Sequence, residues 1–480
     1  MHSSLVSPFR RVARLLGAAT LLCGLVAGHP LSAQAQSVSG DTTRISFDEA
    51  IRTALDQNTD LKRAQANLRS AETQVQAEWM DFAPDLNVTA DVSRSFGRTF
   101  SQEQLGFIQE STDNLRMTGR SSITVFNGFE NVASLNQARN QAEANDLGLE
   151  RTQREVVFTV MDRYIALIES REIVRVRREE LEARRQQLRQ IEEFVDAGSR
   201  PVSDLYQEQA NVAEAEQRLL QAQREREVSK TRLIQTLQLN PREPYRFEVP
   251  ALAADTLSRE QYDLSALMDE AFRQRIDLQA AQAEQRASQQ GIRSARSAYY
   301  PSLSITGSYG TDWTSRPRPI PQEGGGEIEP GFSRQIDNNR NGSVGLSLNI
   351  PIFDQFQRET QIERARVDAQ NAQYALEDQR QQVALQVRQA YLDYRNAVQQ
   401  LEAANKRLRA ARQARAAAQE RYNLGSASIV ELQNATRDFV DAASQQVRAR
   451  YNLIFQKKQI DYHVGRLRPD EPLIGRQDAQ

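Results

Sequence analysis

Residues 167–219 read LIESREIVRVRREELEARRQQLRQIEEFVDAGSRPVSDLYQEQANVAEAEQRL. Leu167, Val174, Leu181, Leu188 and Val195 fall at a strict seven-residue interval. The interval resumes at Leu205, Val212 and Leu219, after Gly198-Ser199-Arg200-Pro201. A sustained seven-residue repeat keeps one seam of a helix against a partner and imposes left-handed supercoiling. The stretch therefore predicts a helical hairpin over 131–237, with an outgoing helix from Asn131 to Ala197, a tight turn and a returning helix. At about 1.5 Å per residue the outgoing arm is on the order of 100 Å long. A compact domain has no use for that length, so the helix spans something.

Composition agrees with rods more than with a large core. The 480 residues are 7% aromatic and carry 61 basic against 63 acidic side chains. That balance gives no nucleic-acid footprint. The N-terminus reads as a signal peptide over 1–35: Arg10, Arg11 and Arg14, an apolar run from Leu15 to Ala27, then Ala33-Gln34-Ala35 as cleavage site. Cys23, the single cysteine, falls inside that signal, so the remainder has neither disulfides nor a Cys-ligated metal. No other run is apolar enough for a transmembrane helix. His463 is the one histidine after the signal, and no catalytic, cofactor or metal constellation stands out. We expect no enzyme.

A flexible leader is expected over 36–45, then the first structural repeat, 46–240. It opens with one helix from Ser46 to Trp79, with Ser46 and Glu49 spaced as a capping box. After Pro84 the apolar period drops to two. Strands are predicted at 84–96 and 115–126, joined by a long polar loop, before the hairpin 131–237. A connector, 241–262, follows. The pattern then returns in a second repeat, 263–467. Tyr300-Pro301-Ser302-Leu303 answers Ala83-Pro84-Asp85-Leu86, and Phe353-Asp354-Gln355-Phe356 answers Phe126-Asn127-Gly128-Phe129. Strands are predicted at 303–310 and 343–352, with a Pro- and Gly-rich loop between them that should be mobile, then a hairpin over 358–466 and a tail, 468–480. The seam carries over at Tyr394, Leu401, Leu408 and Tyr422, with Arg415 the exception. Such self-similarity marks an internal duplication.

Each repeat supplies two strands, so one chain supplies four. Taken alone, the strands suit a four-stranded soluble sheet packed on helices. Their length and alternation also suit an outer-membrane barrel, which four strands cannot close. Three chains pool to twelve strands and twelve rods. The expected fold is therefore mainly α with membrane β, a trimeric 12-stranded β-barrel continuous with a 12-helix α-barrel tunnel.

The order helix, strand, strand, long hairpin, duplicated, resembles the TolC-like outer-membrane factor family. So do Phe126-Asn127-Gly128 closing a strand, Tyr300-Pro301-Ser302-Leu303 opening one, and Arg421-Tyr422-Asn423-Leu424-Gly425 before Ile429-Val430-Glu431-Leu432. The resemblance spans about 46–467 and implies a homotrimer in outer-membrane lipid with a long periplasmic extension. It further implies a passive conduit for efflux or type I secretion. The tunnel would dock tip first on a periplasmic adaptor (membrane fusion) protein serving an inner-membrane transporter of RND, ABC or MFS type. Gly198, Ser199, Gly425 and Ser426 would carry the adaptor contact. Asp204 and Glu431 would form acidic rings at the narrow end. A second acid of the family falls at Asn434, so this gate should be less electronegative. The family's gate Tyr fits Tyr422. Its Arg partner falls at Ala427, and Arg200, in the equivalent place of the first repeat, is the candidate substitute. On the bland alternative, Asp204 and Glu431 are ordinary first-turn helix acids favoured by the macrodipole. A periplasmic adaptor or a structural coiled-coil protein of the envelope is the other functional class, and the duplicated strand pairs argue against both.

Overall fold

The computed structural model describes residues 43–101, 106–249, 260–317, 320–321, 325 and 327–468. The expected signal peptide, most of the leader, part of the connector and nearly all of the tail lie outside the described residues. In chain order the elements are β1 (Thr43–Ile45), α1 (Phe47–Gln57), α2 (Thr59–Met80), β2 (Asn87–Ser101), β3 (Gly106–Asn127), α3 (Glu130–Asp196) and α4 (Val202–Thr236). Next come β4 (Tyr245–Phe247), α5 (Leu264–Gln274), α6 (Ile276–Ser297), β5 (Ser302–Thr314), β6 (Ile320–Pro321), β7 (Glu327–Ile328), α7 (Phe332–Asn338), β8 (Asn341–Asn349), α8 (Gln357–Asn423) and α9 (Ile429–Val464).

The two halves match in length. α3 and α8 are each 67 residues long, and α4 and α9 are 35 and 36. The expected single helix from Ser46 to Trp79 is broken in two. Ser46 does cap α1 in a closed capping box with Glu49. Asn58 then turns extended, with ψ 125°, and its side chain accepts from the amides of Asp60 and Leu61, starting α2. The second half breaks likewise at Arg275, ψ 117°, which grips Asp277 at 2.5 Å and donates to the His463 carbonyl. An N-cap inside an amphipathic run competes with helix continuation, and the periodicity alone does not reveal which wins.

The sheet has the order β2-β3-β5-β8, antiparallel throughout. Directly opposed residues sort onto two faces. One bears Val92–Leu115–Trp313 and Ile123–Ile305–Leu346 across the strands, and the other bears Asp91–Arg116–Asp312. β2 and β8 each keep one unpaired edge within the chain. The expected strands 84–96 and 115–126 are longer in the structure, at 15 and 22 residues, and the polar loop between them shrinks. Beyond Val92 and Leu115 the β2–β3 ribbon continues with mostly polar residues and with Phe96 and Phe107 exposed, tied by Arg94 to Asp113 at 2.6 Å. Isolated aromatics among polar residues leave no regular alternation to read. The expected strand at 343–352 stops at Asn349, before Ile350-Pro351, because Pro has no amide to donate. Between β5 and β8, Pro319, Gly324 and Gly326 lie outside the described residues. At the end of that stretch the Gln335 amide of α7 donates to Pro330 O at 2.8 Å and Thr314 O at 3.1 Å.

α3 packs on α2, α4, α6 and α9, and α8 packs on α5, α6 and α9. The wall is therefore one layer: α2 and α4 in line, then α3, then α6 and α9 in line, then α8. The first core surrounds Tyr164, whose hydroxyl donates to Glu248 O at 2.6 Å. Leader residues 43–45 form β1, which pairs with β4 in parallel and puts Ile45 beside Phe247 in this core, Thr43 and Arg44 staying exposed. The second core lies among α5, α6, α8 and α9 around Tyr394. The heptad seam holds as far as Leu181 and then moves. Leu188 and Val195 are half-buried, and Arg184, Gln187 and Ile191 take the buried positions. On α4 the buried pair is Glu208 and Ala215, three residues on from Leu205 and Val212. An α-helix drifts about 20° per heptad against a straight partner, enough to rotate a seam over this length. No described helix is long and apolar enough to cross a membrane.

Candidate functional site

The two hairpin turns come together at one end of the rods, and both are built alike. Gly198 adopts φ 68° and donates to Val195 O, and the Ser199 amide donates to Phe194 O, each at 2.9 Å. Gly425 adopts φ 76° and donates to Tyr422 O at 3.0 Å, and the Ser426 amide donates to Arg421 O at 2.9 Å. These are two Schellman motifs, closing the last carbonyls of α3 and α8 with glycine in the left-handed position. The hydroxyls of Ser199 and Ser426 reach back to the same carbonyls. Gly198, Ser199, Gly425 and Ser426 are all exposed.

Behind the turns a small apolar cluster joins the hairpins: Ile191, Ala418, Tyr422, Ile429 and Leu432. Arg200 crosses from the first turn to the second. Its guanidinium sits 4.5 Å from the Tyr422 ring centroid and donates to Tyr422 O at 2.8 Å. A guanidinium on an aromatic face adds roughly 0.5–2 kcal/mol. Arg200 thus makes a contact with Tyr422 that the Ala427 methyl, with no charge or donor, cannot make. Tyr422 is buried, its hydroxyl lacks a hydrogen-bond partner, and burial pushes that hydroxyl up from its ordinary value. Asp204 lies in the first turn of α4, near enough for its charge to act on Tyr422.

Glu431, expected in an acidic ring, has a partner of its own. It lies in the first turn of α9, where Ser428 caps its amide, and its carboxylate is held by Arg421 from the end of α8. Its charge is therefore partnered within the chain. Asn434, one turn on, is exposed and accepts from Arg437, without touching Tyr422. The sequence singled out neither Arg421 nor Arg437. Arg421 sits inside the quoted turn motif, and only the folded turn brings it beside Glu431. Among the described residues there is no His, Cys, Asp or Glu group able to hold a metal.

Comparison with known proteins agrees with this architecture. The family model described as "Outer membrane efflux protein" matches residues 50–237 and 267–465. Outer membrane protein TolC of Escherichia coli (strain K12) is 25% identical over 230 residues, 47% of this chain and 45% of that protein. The match thus spans less than half of that relative. Protein CyaE of Bordetella pertussis is 24% identical over 402 residues, 83% of this chain and 79% of that protein. The Campylobacter jejuni CmeC outer membrane channel superposes with a TM-score of 0.74 at 17% identity, covering 89% of this chain and 87% of that one.

Proposed function

This chain belongs to the outer membrane efflux protein family, and from that premise we propose that it is the outer-membrane channel of a tripartite efflux or type I secretion system. The observation that carries the reading is a sheet that cannot stand alone. It has one apolar and one polar face, and both outer edges are unpaired. Neither open edges nor unsatisfied backbone persist in hydrocarbon, so the sheet closes by pooling copies. The apolar rows then face lipid, and the Asp91–Arg116–Asp312 row faces the lumen. Three copies give a barrel of twelve strands above a tube of twelve rods. The ends of the helical layer support the same closure. α8 leaves Phe356, Tyr374 and Leu385 exposed, and the opposite end leaves Trp79, Tyr206 and Leu220 exposed.

On this reading the hairpin tips are the periplasmic end. Gly198, Ser199, Gly425 and Ser426 meet a periplasmic adaptor protein, which links the tunnel to an inner-membrane transporter. Arg200, Tyr422, Asp204, Glu431 and Asn434 line or brace the narrow end. Residues 1–35 are a cleaved signal, testable by sequencing the mature N-terminus, and 46–240 and 263–467 are the duplicated units.

The testing experiment is single-channel recording of the purified protein in planar bilayers, beside heat-modifiable trimer bands in outer-membrane fractions. A small conductance from the trimer, enlarged by Arg200→Ala, fits a tunnel closed at the tips. A monomer in the soluble periplasm would sink the reading.

A further inference from the structure

A layer of buried polar groups lies between the hairpins, up from the apolar cluster at the tips. Of the seven buried side-chain atoms without a hydrogen-bond partner among the described residues, five belong here: Arg184 Nη1, Gln187 Nε2, Glu208 Oε1, Tyr422 Oη and Gln433 Nε2. They come from α3, α4, α8 and α9, so the layer is where the two hairpins meet. Glu208 is fully buried, at 0% exposure. Its Oε2 accepts from Asn211 Nδ2 at 2.9 Å. Its Oε1 forms a long ion pair with Arg184 Nη1 at 3.5 Å, with no closer hydrogen-bond partner.

Burying a carboxylate with an incomplete partner set costs several kcal/mol by general experience, and a proton or water removes the cost. The charged groups around it are asymmetric in origin. α3 supplies Arg184 to Glu208 itself, and the first turn supplies Arg200 to the neighbouring Tyr422. α4 itself adds Asp204 one turn away. α8 supplies Tyr422, on whose hydroxyl the Glu208 charge acts, and Arg415, which lies over the Phe439 ring at 4.9 Å and bears on Arg184. α9 offers only the neutral Gln433. Burial pushes the Glu208 carboxyl up, with Asn211, Arg184 and Gln433 pulling it back by less, and burial pushes the Arg415 guanidinium down. A carboxyl raised by burial stabilises the buried arrangement fully below its ordinary range. That contribution is lost as pH climbs through its buried value.

We propose that Glu208 is a proton-operated latch on the hairpin tips. Protonated, it lets the two hairpins stay packed; ionised, it favours their parting and its own hydration, so the narrow end opens more readily as pH rises. The latch rests on the reading of the tips as the closing end of a tunnel.

The test is open probability of the full-length trimer in planar bilayers between about pH 5 and 8, wild type beside Glu208→Gln, Arg200→Ala and the Asn211→Ala variant. Glu208→Gln keeps the shape and stays neutral at every pH. The expected result is a several-fold rise in wild-type opening with pH, absent in Glu208→Gln, which holds the low-pH level throughout. If Glu208→Gln keeps the wild-type pH dependence while Arg200→Ala opens the channel, the latch falls and the tip gate stands. If no tip variant alters conductance, both fall. Hydrogen exchange on the wild type guards against a misfolded variant: amides of 203–210, corrected for intrinsic rates, should be better protected at the lower pH. Equal protection at both would also overturn the latch.

Discussion

Arg200 and Tyr422 show how one contact can be carried by unequal parts. The ring and the Tyr422 carbonyl both engage the guanidinium, whereas the hydroxyl engages nothing. Arg200→Ala should therefore weaken the closed tip by about 1–3 kcal/mol, read as a larger single-channel conductance. Tyr422→Phe should leave thermal stability within about 0.5 kcal/mol or raise it, because it deletes an unsatisfied buried group. Arg421 gives the complementary case. It neutralises Glu431, so Arg421→Ala should raise cation over anion permeability, measured as reversal potential in a salt gradient. An unchanged potential would place Glu431 off the ion path. His463 makes the pH dependence explicit. Burial first, and Arg275 second, hold its imidazole down at about 4. A base depressed in the fold stabilises it above the free value near 6.5, and the benefit drains away as pH falls from there toward 4. The melting temperature should drop across that window, and His463→Asn should flatten the drop.

Among the elements, the two turns carry the strictest demand. Gly198 and Gly425 hold φ near 70° with nothing within 4 Å of an added Cβ. Space is free there; only the backbone objects. Gly425→Ala should then cost about 1–2 kcal/mol of left-handed strain without a steric clash. The expected sign is faster amide exchange confined to the ends of α8 and α9. The helix breaks at Asn58 and Arg275 make the opposite point. The same geometric event recurs in both halves with different chemistry, an Asx cap in one and an arginine gripping Asp277 in the other. What recurs is the break, which sets α1 and α5 against the cores at Tyr164 and Tyr394.

For the whole molecule the decisive feature is a two-faced sheet in line with rods of 67 residues. Its faces can be told apart by charge. Leu346 lies on the apolar row with Ile123 and Ile305, and Ser347 lies on the other face opposite Ser304. Leu346→Arg should cost about 2–4 kcal/mol of insertion if it sits near the bilayer midplane, seen as loss of heat-modifiable trimer. Ser347→Arg should assemble normally. Equal behaviour of the two would remove the lipid-facing assignment.

The sequence alone determined the rods, the duplication, the turns and the capping box at Ser46, because each is written in local spacing or in a residue with a strong backbone preference. Gly198, Gly425 and the Ser46–Glu49 pair needed no partner from afar to be legible. It also held the membrane-type alternation, and it ended the strands where that alternation ended, missing the irregular, mostly polar ribbon beyond. Arg421 beside Glu431, the β1–β4 pairing and the buried Arg184–Glu208 layer belong to the tertiary structure. The first needs the folded turn to bring its two residues together, the second joins strands remote in sequence, and the third lies off the expected heptad seam, where the drift of a real helix against a 3.5-residue repeat carries charged side chains into the interior.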